Sequence, residues 1–333
     1  MLCVFNYLRM EEVFYRFIRS HIFGVLLFLL GCSMNHELNL CQLIQDFGSE
    51  ERCRAYLEKL RWPKGVVCPS CKSQKISRIT ARNQFDCDEC RYQFSATAET
   101  IFHDTHLPLW KWFLATYLIC ESRKGVSANQ LKRVLGVSYK TAWYLCHRIR
   151  KAMTEVNPVP LKGTVELDET WIGGKRHWKE RTYLRNKTMV LGAIERGGAV
   201  RMKAEKRSKN ASQKIIKEWI EEVTAPDTER LVTDDNPAYF RIQDADTKHE
   251  IVNHSAREYV RGDVHTNNIE NAWSLFKRSV IGSYHKVSEK HLDAYLDEFE
   301  WRFNNRKNQF LFRDTMLKLI GSSNLEYKQL TAA

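Results

Sequence analysis

The chain lacks a hydrophobic run long enough to cross a membrane. Its amino-terminal apolar stretch, residues 22–30 (IFGVLLFLL), is about nine residues long, whereas a spanning helix needs about 20. No membrane partner is expected. Arg9, Arg16 and Arg19 precede this run and Gly31-Cys32 follows it, which has the outline of a signal peptide. Glu11 and Glu12 interrupt the charged region and nothing downstream looks secreted. Residues 1–33 therefore read as upstream sequence, with Met34 as the start. A disulfide framework is also missing. Of ten cysteines (Cys3, Cys32, Cys41, Cys53, Cys68, Cys71, Cys87, Cys90, Cys120 and Cys146) only four form a pattern. The others are scattered through apolar or helix-like stretches as small buried residues, which points to a reducing compartment and a cytoplasmic protein. Negative charge is in short supply too. Lys and Arg number 52 against 40 Asp and Glu, a formal net charge of +12. That balance suits a polyanionic partner such as nucleic acid.

At 333 residues the chain has room for two or three domains with a well-buried core. Its basic excess is concentrated. Residues 101–163 hold ten Lys and Arg against three Asp and Glu, which is over half of the total excess. A charge serving solubility alone would be dispersed. The pattern of elements predicts a multidomain α+β protein: a helical segment over 34–62, a small cysteine-bearing module over 64–98, a helical region over 101–156, an α/β domain over 164–320 and a tail over 321–333.

Cys68-Pro-Ser-Cys71 and Cys87-Asp-Glu-Cys90 are two CxxC knuckles with fifteen residues between them. Four thiolates on two tight turns suit one structural Zn2+ in a closed tetrahedral site. Lys75–Thr80, Asn83–Cys87 and Arg91–Phe94 read as strands around the knuckles, so the module is a zinc ribbon. Lys72, Lys75, Arg78, Arg82 and Arg91 give it a basic surface.

Residues 108–123 predict a helix with Pro108 in its first turn. Ser127 caps a short helix to Leu135, Gly136 makes the turn, and Ser138 caps a second helix. Leu131, Leu135, Val137, Ala142, Cys146 and Ile149 form the apolar face. Lys140, Arg148, Arg150 and Lys151 are expected on the outer face, as in a helix-turn-helix that enters the major groove of DNA. Asn157–Pro160 links to the next domain.

Beyond residue 163 the strands are expected over 164–171, 189–195, 199–204, 230–233 and 249–252, with helices over 212–223 and 267–280. Gly173-Gly174 is expected to turn after the first strand, and Gly197-Gly198 to join the second and third. The order strand–strand–strand–helix–strand–helix–strand–helix is that of a ribonuclease H-like domain with a mixed five-stranded sheet. Three acids fall on separate elements: Asp168 in VELDETWIGG, Asp234 in LVTDDNPAY and Glu270 in HTNNIENAWSLFKR. Acids delivered from separate elements suit a pair of Mg2+ ions, which prefer hard oxygen ligands and act on phosphodiesters. Strand geometry leaves rivals open. Glu166 points the same way as Asp168 on a regular strand, and Asp235 adjoins Asp234. Asn267 and His265 flank the third acid as candidates for orienting a carboxylate or meeting DNA. Tyr284, His285 and Lys286 follow that helix and are further candidates to meet DNA. Trp171, Trp273 and Trp301 read as core.

The stretches VELDETWIGGK, LVTDDNPAY and HTNNIENAWSLFKRSVIGSYHKVSEKHLDAYLDEFEWRFNNR resemble insertion-sequence transposases of the DDE class, in the ISXO-like group with an amino-terminal zinc ribbon. The likeness covers about residues 35–320. It implies that Asp168, Asp234 and Glu270 are the catalytic acids and hold two Mg2+ ions, with Mn2+ as an alternative. It implies that Lys277 contacts substrate phosphate beside Arg278. The partners implied are the inverted repeats at the element's ends and target DNA, bound by a homo-oligomer on paired ends in the nucleoid. A DNA-binding regulator with a decayed catalytic domain and a recombination nuclease of the same fold are the alternatives.

Overall fold

A computed structural model of the chain describes residues 38–173, 187–206, 211–240, 242, 247–253, 256 and 260–332. The expected extension over 1–33 and Gly174 of the expected turn lie outside them. The chain divides into Met1–Asn39 and Leu40–Ala333, and every element below belongs to the larger unit.

Two helices, α1 (Leu40–Phe47) and α2 (Glu50–Arg61), open this unit. Ser49 caps α2 by accepting from the Arg52 amide, and Glu50 and Glu51 complement its positive end. A three-stranded antiparallel sheet follows: β1 (Ile76–Ile79), β2 (Gln84–Cys87) and β3 (Gln93–Phe94). Its core is small: Phe85, Phe94 and Ala98 beside Cys68 and Cys87, with Trp62 packed against it. So few apolar groups are poor support for a fold without a cross-link.

Next come α3 (Leu109–Glu121), α4 (Ala128–Leu135) and α5 (Tyr139–Met153). The capping read from sequence is present. Ser127 accepts from the Gln130 amide and Ser138 from the Thr141 amide, each at 3.1 Å. Gly136 takes φ 60° at the turn. One expectation fails. Beyond its first turn α5 packs against the carboxy-terminal helices α8 (Leu292–Asn304) and α9 (Leu311–Gly321), so Arg148 and Arg150 lie inside. Arg150 Nε donates to Glu298 Oε2 at 2.6 Å, and Arg148 donates to the His103 carbonyl at 2.7 Å and to Asn324 Oδ1 at 2.9 Å. Both guanidiniums are buried and held by internal acceptors, so neither lies on the outer face of the helix. Lys140 and Lys151 are exposed as expected.

The larger sheet has β4 (Thr164–Gly173), β5 (Lys187–Glu195), β6 (Val200–Glu205), β7 (Arg230–Thr233) and β8 (Lys248–Ile251), ordered β6-β5-β4-β7-β8. The β4–β5 and β5–β6 pairs are antiparallel; β4–β7 and β7–β8 are parallel. Hence the five-stranded sheet is mixed, and β4 is central. Alternation along the strands feeds two cores. Val165 and Leu167 face α6 (Gln213–Val223) through Ile216, Trp219 and Ile220. Val190 and Ile194 face α7 (Asn267–Ser279) and α8 through Ile269, Phe276 and Leu296. The helix expected between the fourth and fifth strands is, among the described residues, a single 3₁₀ turn at Pro237–Tyr239. A last short helix, α10 (Tyr327–Thr331), closes the chain. Among the described residues no helix is long and apolar enough to cross a membrane.

Candidate active site and cysteine cluster

Asp168 sits in the middle of β4, on the face turned to α7. Its Oδ2 accepts a hydrogen bond from Trp273 Nε1 at 3.0 Å. Trp273 is thus a core residue, as expected from the sequence, and also a direct partner of the acid. Gly192 lies opposite Asp168 on β5. A Cβ there would collide with the Trp273 ring, so the glycine makes room for the contact.

Asp234 follows the end of β7. The parallel register pairs Glu166 with Val232, so β7 ends just before Asp234 alongside the stretch of β4 that leads to Asp168. Burial pushes the Asp168 carboxyl up to about 8, and the nearby charges of Glu169 and Asp234 add to the shift. Asp234 is thus one of the acids whose charge reaches Asp168. Its Oδ1 accepts from the Asn236 amide at 3.1 Å.

Glu270 stands in the first turn of α7, with Thr266 Oγ1 donating to its Oε1 at 2.9 Å. Lys277 and Arg278 are exposed two turns further on. Asp168, Glu270, Trp273, Ser274, Lys277 and Arg278 line one open cleft of about 440 Å³. The Arg278 Nε donates to the Ser274 carbonyl at 3.2 Å.

Glu166, which strand geometry left as a rival of Asp168, and Glu169, which the sequence did not single out, have other work. Glu166 is fully buried and accepts from the Asn268 amide at 2.9 Å, the Ile269 amide at 3.1 Å and Asn268 Nδ2 at 2.8 Å. Arg196 Nε donates to it at 2.8 Å, and His265 Nδ1 lies 3.4 Å away. Glu169 points to the opposite face, where Tyr239 Oη and Asn236 Nδ2 each donate to it at 2.5 Å. Through Asn236 it steadies the loop of Asp234. Sequence reasoning missed Glu169, Asn236 and Tyr239. The signal was there, since a buried strand position occupied by an acid demands donors from somewhere. Asn267, expected near the acids, is exposed; its neighbour Asn268 makes the contact to Glu166 instead. Tyr284 is a correction as well. Its hydroxyl donates to buried Glu298 at 2.7 Å rather than facing outward, whereas His285 and Lys286 are exposed.

The four patterned cysteines converge. Sγ atoms lie 3.6 Å apart for Cys68 and Cys90, and 3.5 Å for Cys71 and Cys87; all four fall within 4.8 Å of one another. The knuckles repeat one geometry. Lys72 and Arg91, each just after its CxxC, take φ 64° and 58°. The Lys72 amide donates to Cys68 O, and the Arg91 amide to Cys87 O. Of the remaining described cysteines, Cys53, Cys120 and Cys146 are buried as expected, but Cys41 is exposed. Among the basic residues of the module, Lys75 pairs with Glu89 and Arg78 with Glu58, both at 3.1 Å.

Fold and site together describe an α/β domain of the polynucleotidyl transferase type. Residues 160–304 match the ISXO2-like transposase domain, and residues 48–93 match the transposase zinc-ribbon domain. An uncharacterized protein in transposable element ISH50 of Halobacterium salinarum is 31% identical over 280 residues, covering 78% of this chain and 92% of that protein. The chain belongs to the ISXO2-like transposase family. Two solved structures are more distantly similar. A simian T-cell lymphotropic virus intasome in complex with PP2A regulatory subunit B56 gamma is 15% identical, with TM-score 0.30, over 57% of this chain and 65% of that one. The Mos1 strand transfer complex is 12% identical, with TM-score 0.30, over 63% and 75%. Similarity at that level carries no argument about this chain.

Proposed function

We propose that this transposase cuts DNA at the ends of its insertion sequence and joins the freed ends to target DNA, using Asp168, Asp234 and Glu270 to hold two Mg2+ ions. The observation that carries the reading is the shared cleft. Asp168 and Glu270 come to one place from a strand and a helix, with Lys277 on the rim and Asp234 near enough for its charge to bear on Asp168. The donor set fits hard dications, because carboxylate oxygens are their preferred ligands. Burial raises Asp168 and the charges of Glu169 and Asp234 add to it, and a divalent cation would offset both effects. When bound, such a pair supplies charge and Lewis acidity to the attacking and leaving oxygens, and Mn2+ would serve in its place.

The chain's own residues do the rest. Trp273 fixes the orientation of Asp168, and Glu169 with Asn236 steadies the loop of Asp234. Lys277 and Arg278 bind the phosphates flanking the scissile bond, so that binding places the reacting groups in line. In the first step water forms a bond to phosphorus while the bond to the 3′ oxygen breaks, leaving a 3′ hydroxyl. In the second step that hydroxyl displaces a 3′ oxygen from a target phosphodiester. Work on two ends at once calls for at least two copies of the chain.

Zn2+ in the Cys68, Cys71, Cys87 and Cys90 cluster has a structural role. A tetrahedral site with Zn–S near 2.3 Å requires sulfurs about 3.8 Å apart, and the observed spacings lie close to that. Lys140 at the start of α5 and exposed Lys151 supply phosphate contacts in a helix-turn-helix that finds the ends.

The test is an assay with Mg2+ on a fragment carrying the element's ends and a target plasmid. Parent protein should give cut and joined products, and Asp168→Asn should give neither while still shifting the end fragment in a gel. Cut product without joined product would favour a recombination nuclease. Binding without any cutting by the parent would favour a regulator.

A further inference from the structure

Glu166 is a buried carboxylate for which metal binding has no use. It lies two residues before Asp168 on the same face of β4. Its Oε2 takes the Asn268 and Ile269 amides, two of the first three residues of α7. Such amides have no partner within their own helix and draw a negative charge to that end. Its Oε1 takes Asn268 Nδ2 and Arg196 Nε. Arg196 also donates to the carbonyls of Asp263 at 2.6 Å and His265 at 2.9 Å, fixing the segment that leads into the helix.

We propose that Glu166 is a positioning residue for the metal site: it clamps the amino terminus of α7 to β4 and thereby sets the separation of Glu270 from Asp168. This rests on the two-metal reading above. The geometry is short and stiff. Glu166 and Asp168 are two residues apart on one strand, and Ile269 and Glu270 are adjacent in one helical turn. Each acid is therefore within two residues of an end of the clamp. Trp273 closes the other side of the loop one turn later, by donating to Asp168. The helix is thus tied to the strand on both sides of Glu270. Thr266, the cap residue by position, gives its hydroxyl to Glu270 and makes no side-chain cap of its own. Glu166 takes over the capping from another element, at a site where the capping residue of the helix has been turned to the third acid.

The experiment compares parent, Glu166→Gln and Asp168→Asn as full-length protein, using Mn2+ binding followed by electron paramagnetic resonance and amide exchange across 264–272. Glu166→Gln keeps one acceptor but places a donor against Arg196 or Asn268. It should exchange faster at Asn268 and Ile269 and bind Mn2+ about 10- to 100-fold more weakly, as changes behind a metal's direct ligands usually do. Raised Mn2+ should restore most of the cutting. Asp168→Asn should not be rescued in that way. Unchanged exchange with unchanged Mn2+ affinity would overturn the proposal. So would a loss of Mn2+ binding as complete as in Asp168→Asn, which would make Glu166 a ligand. If Glu166→Gln does not fold, Arg196→Gln loosens the same clamp from its more exposed side and should move both readouts in the same direction. A parent that binds no Mn2+ would instead overturn the two-metal reading, and the exchange at Asn268 and Ile269 would still show whether Glu166 holds the helix.

Discussion

At the residue scale, the decisive facts concern which acids have partners. Glu166, Asp168 and Glu169 stand within four positions of one strand, yet each has a different role. Glu166 meets backbone amides, Asp168 meets a tryptophan and like charge, and Glu169 meets a tyrosine and an amide. A fourth acid makes a clean pH test. Glu300 is buried beside Asp297, accepts the Met202 amide and has its carboxyl pushed up to about 8, chiefly by burial. Its folded pKa lies above the unfolded value near 4.3, so the fold favours the protonated form. That contribution is full below about pH 4 and is lost as the pH rises toward 8. Glu300→Gln, neutral throughout, should melt at the parent's temperature near pH 4 and above it at pH 8 to 9. A melting difference independent of pH would show that Glu300 is not protonated in the fold.

At the scale of elements, α5 gives the sharpest contrast. Arg150 is held by Glu298, and Arg302 Nη2 lies 3.2 Å from the same carboxylate. Arg150→Met should cost stability, about 3–5 kcal/mol where a buried ion pair loses a partner, read by urea unfolding. Lys140, exposed on the first turn of α5 with its ammonium 4.4 Å from the Tyr327 ring, should behave differently. Lys140→Ala should leave unfolding unchanged, weaken DNA binding and reduce its salt slope by about one. The ribbon gives a third outcome. Parent protein should carry one zinc per chain by atomic emission, and Cys87→Ser should carry none and lose exchange protection over β1 to β3.

Elements were more legible in the sequence than their surroundings. Ser127, Gly136 and Ser138 signal their helix ends because capping is local chemistry. The strands around Asp168 and Asp234 are legible for the same reason, since alternation and turns lie within a few residues. The burial of Arg148 and Arg150 was not. That of Arg150 depends on Glu298 of α8, 148 residues away, and that of Arg148 on His103 and Asn324, 45 and 176 residues away. The roles of Glu166 and Glu169 were hidden likewise, because their partners sit on α7 and on the turn at 237–239.

For the whole molecule, the fold works by convergence. A central strand and one helix bring Asp168 and Glu270 to one cleft, and the strand beside it ends next to Asp234, whose charge bears on Asp168. The strongly basic stretch over 101–163 places cationic surface in the same chain, although part of that charge is spent internally on Arg148 and Arg150. The central claim is that Asp168, Asp234 and Glu270 hold a common cation. Affinity cleavage tests it most directly. Fe2+ is loaded in place of Mg2+, ascorbate and peroxide are added, and the cut peptide bonds are mapped by mass spectrometry. Cuts should cluster at 168, 234 and 270, all suppressed together by excess Mg2+. Cuts at only one of these positions, or cuts elsewhere that Mg2+ does not suppress, would contradict a shared site.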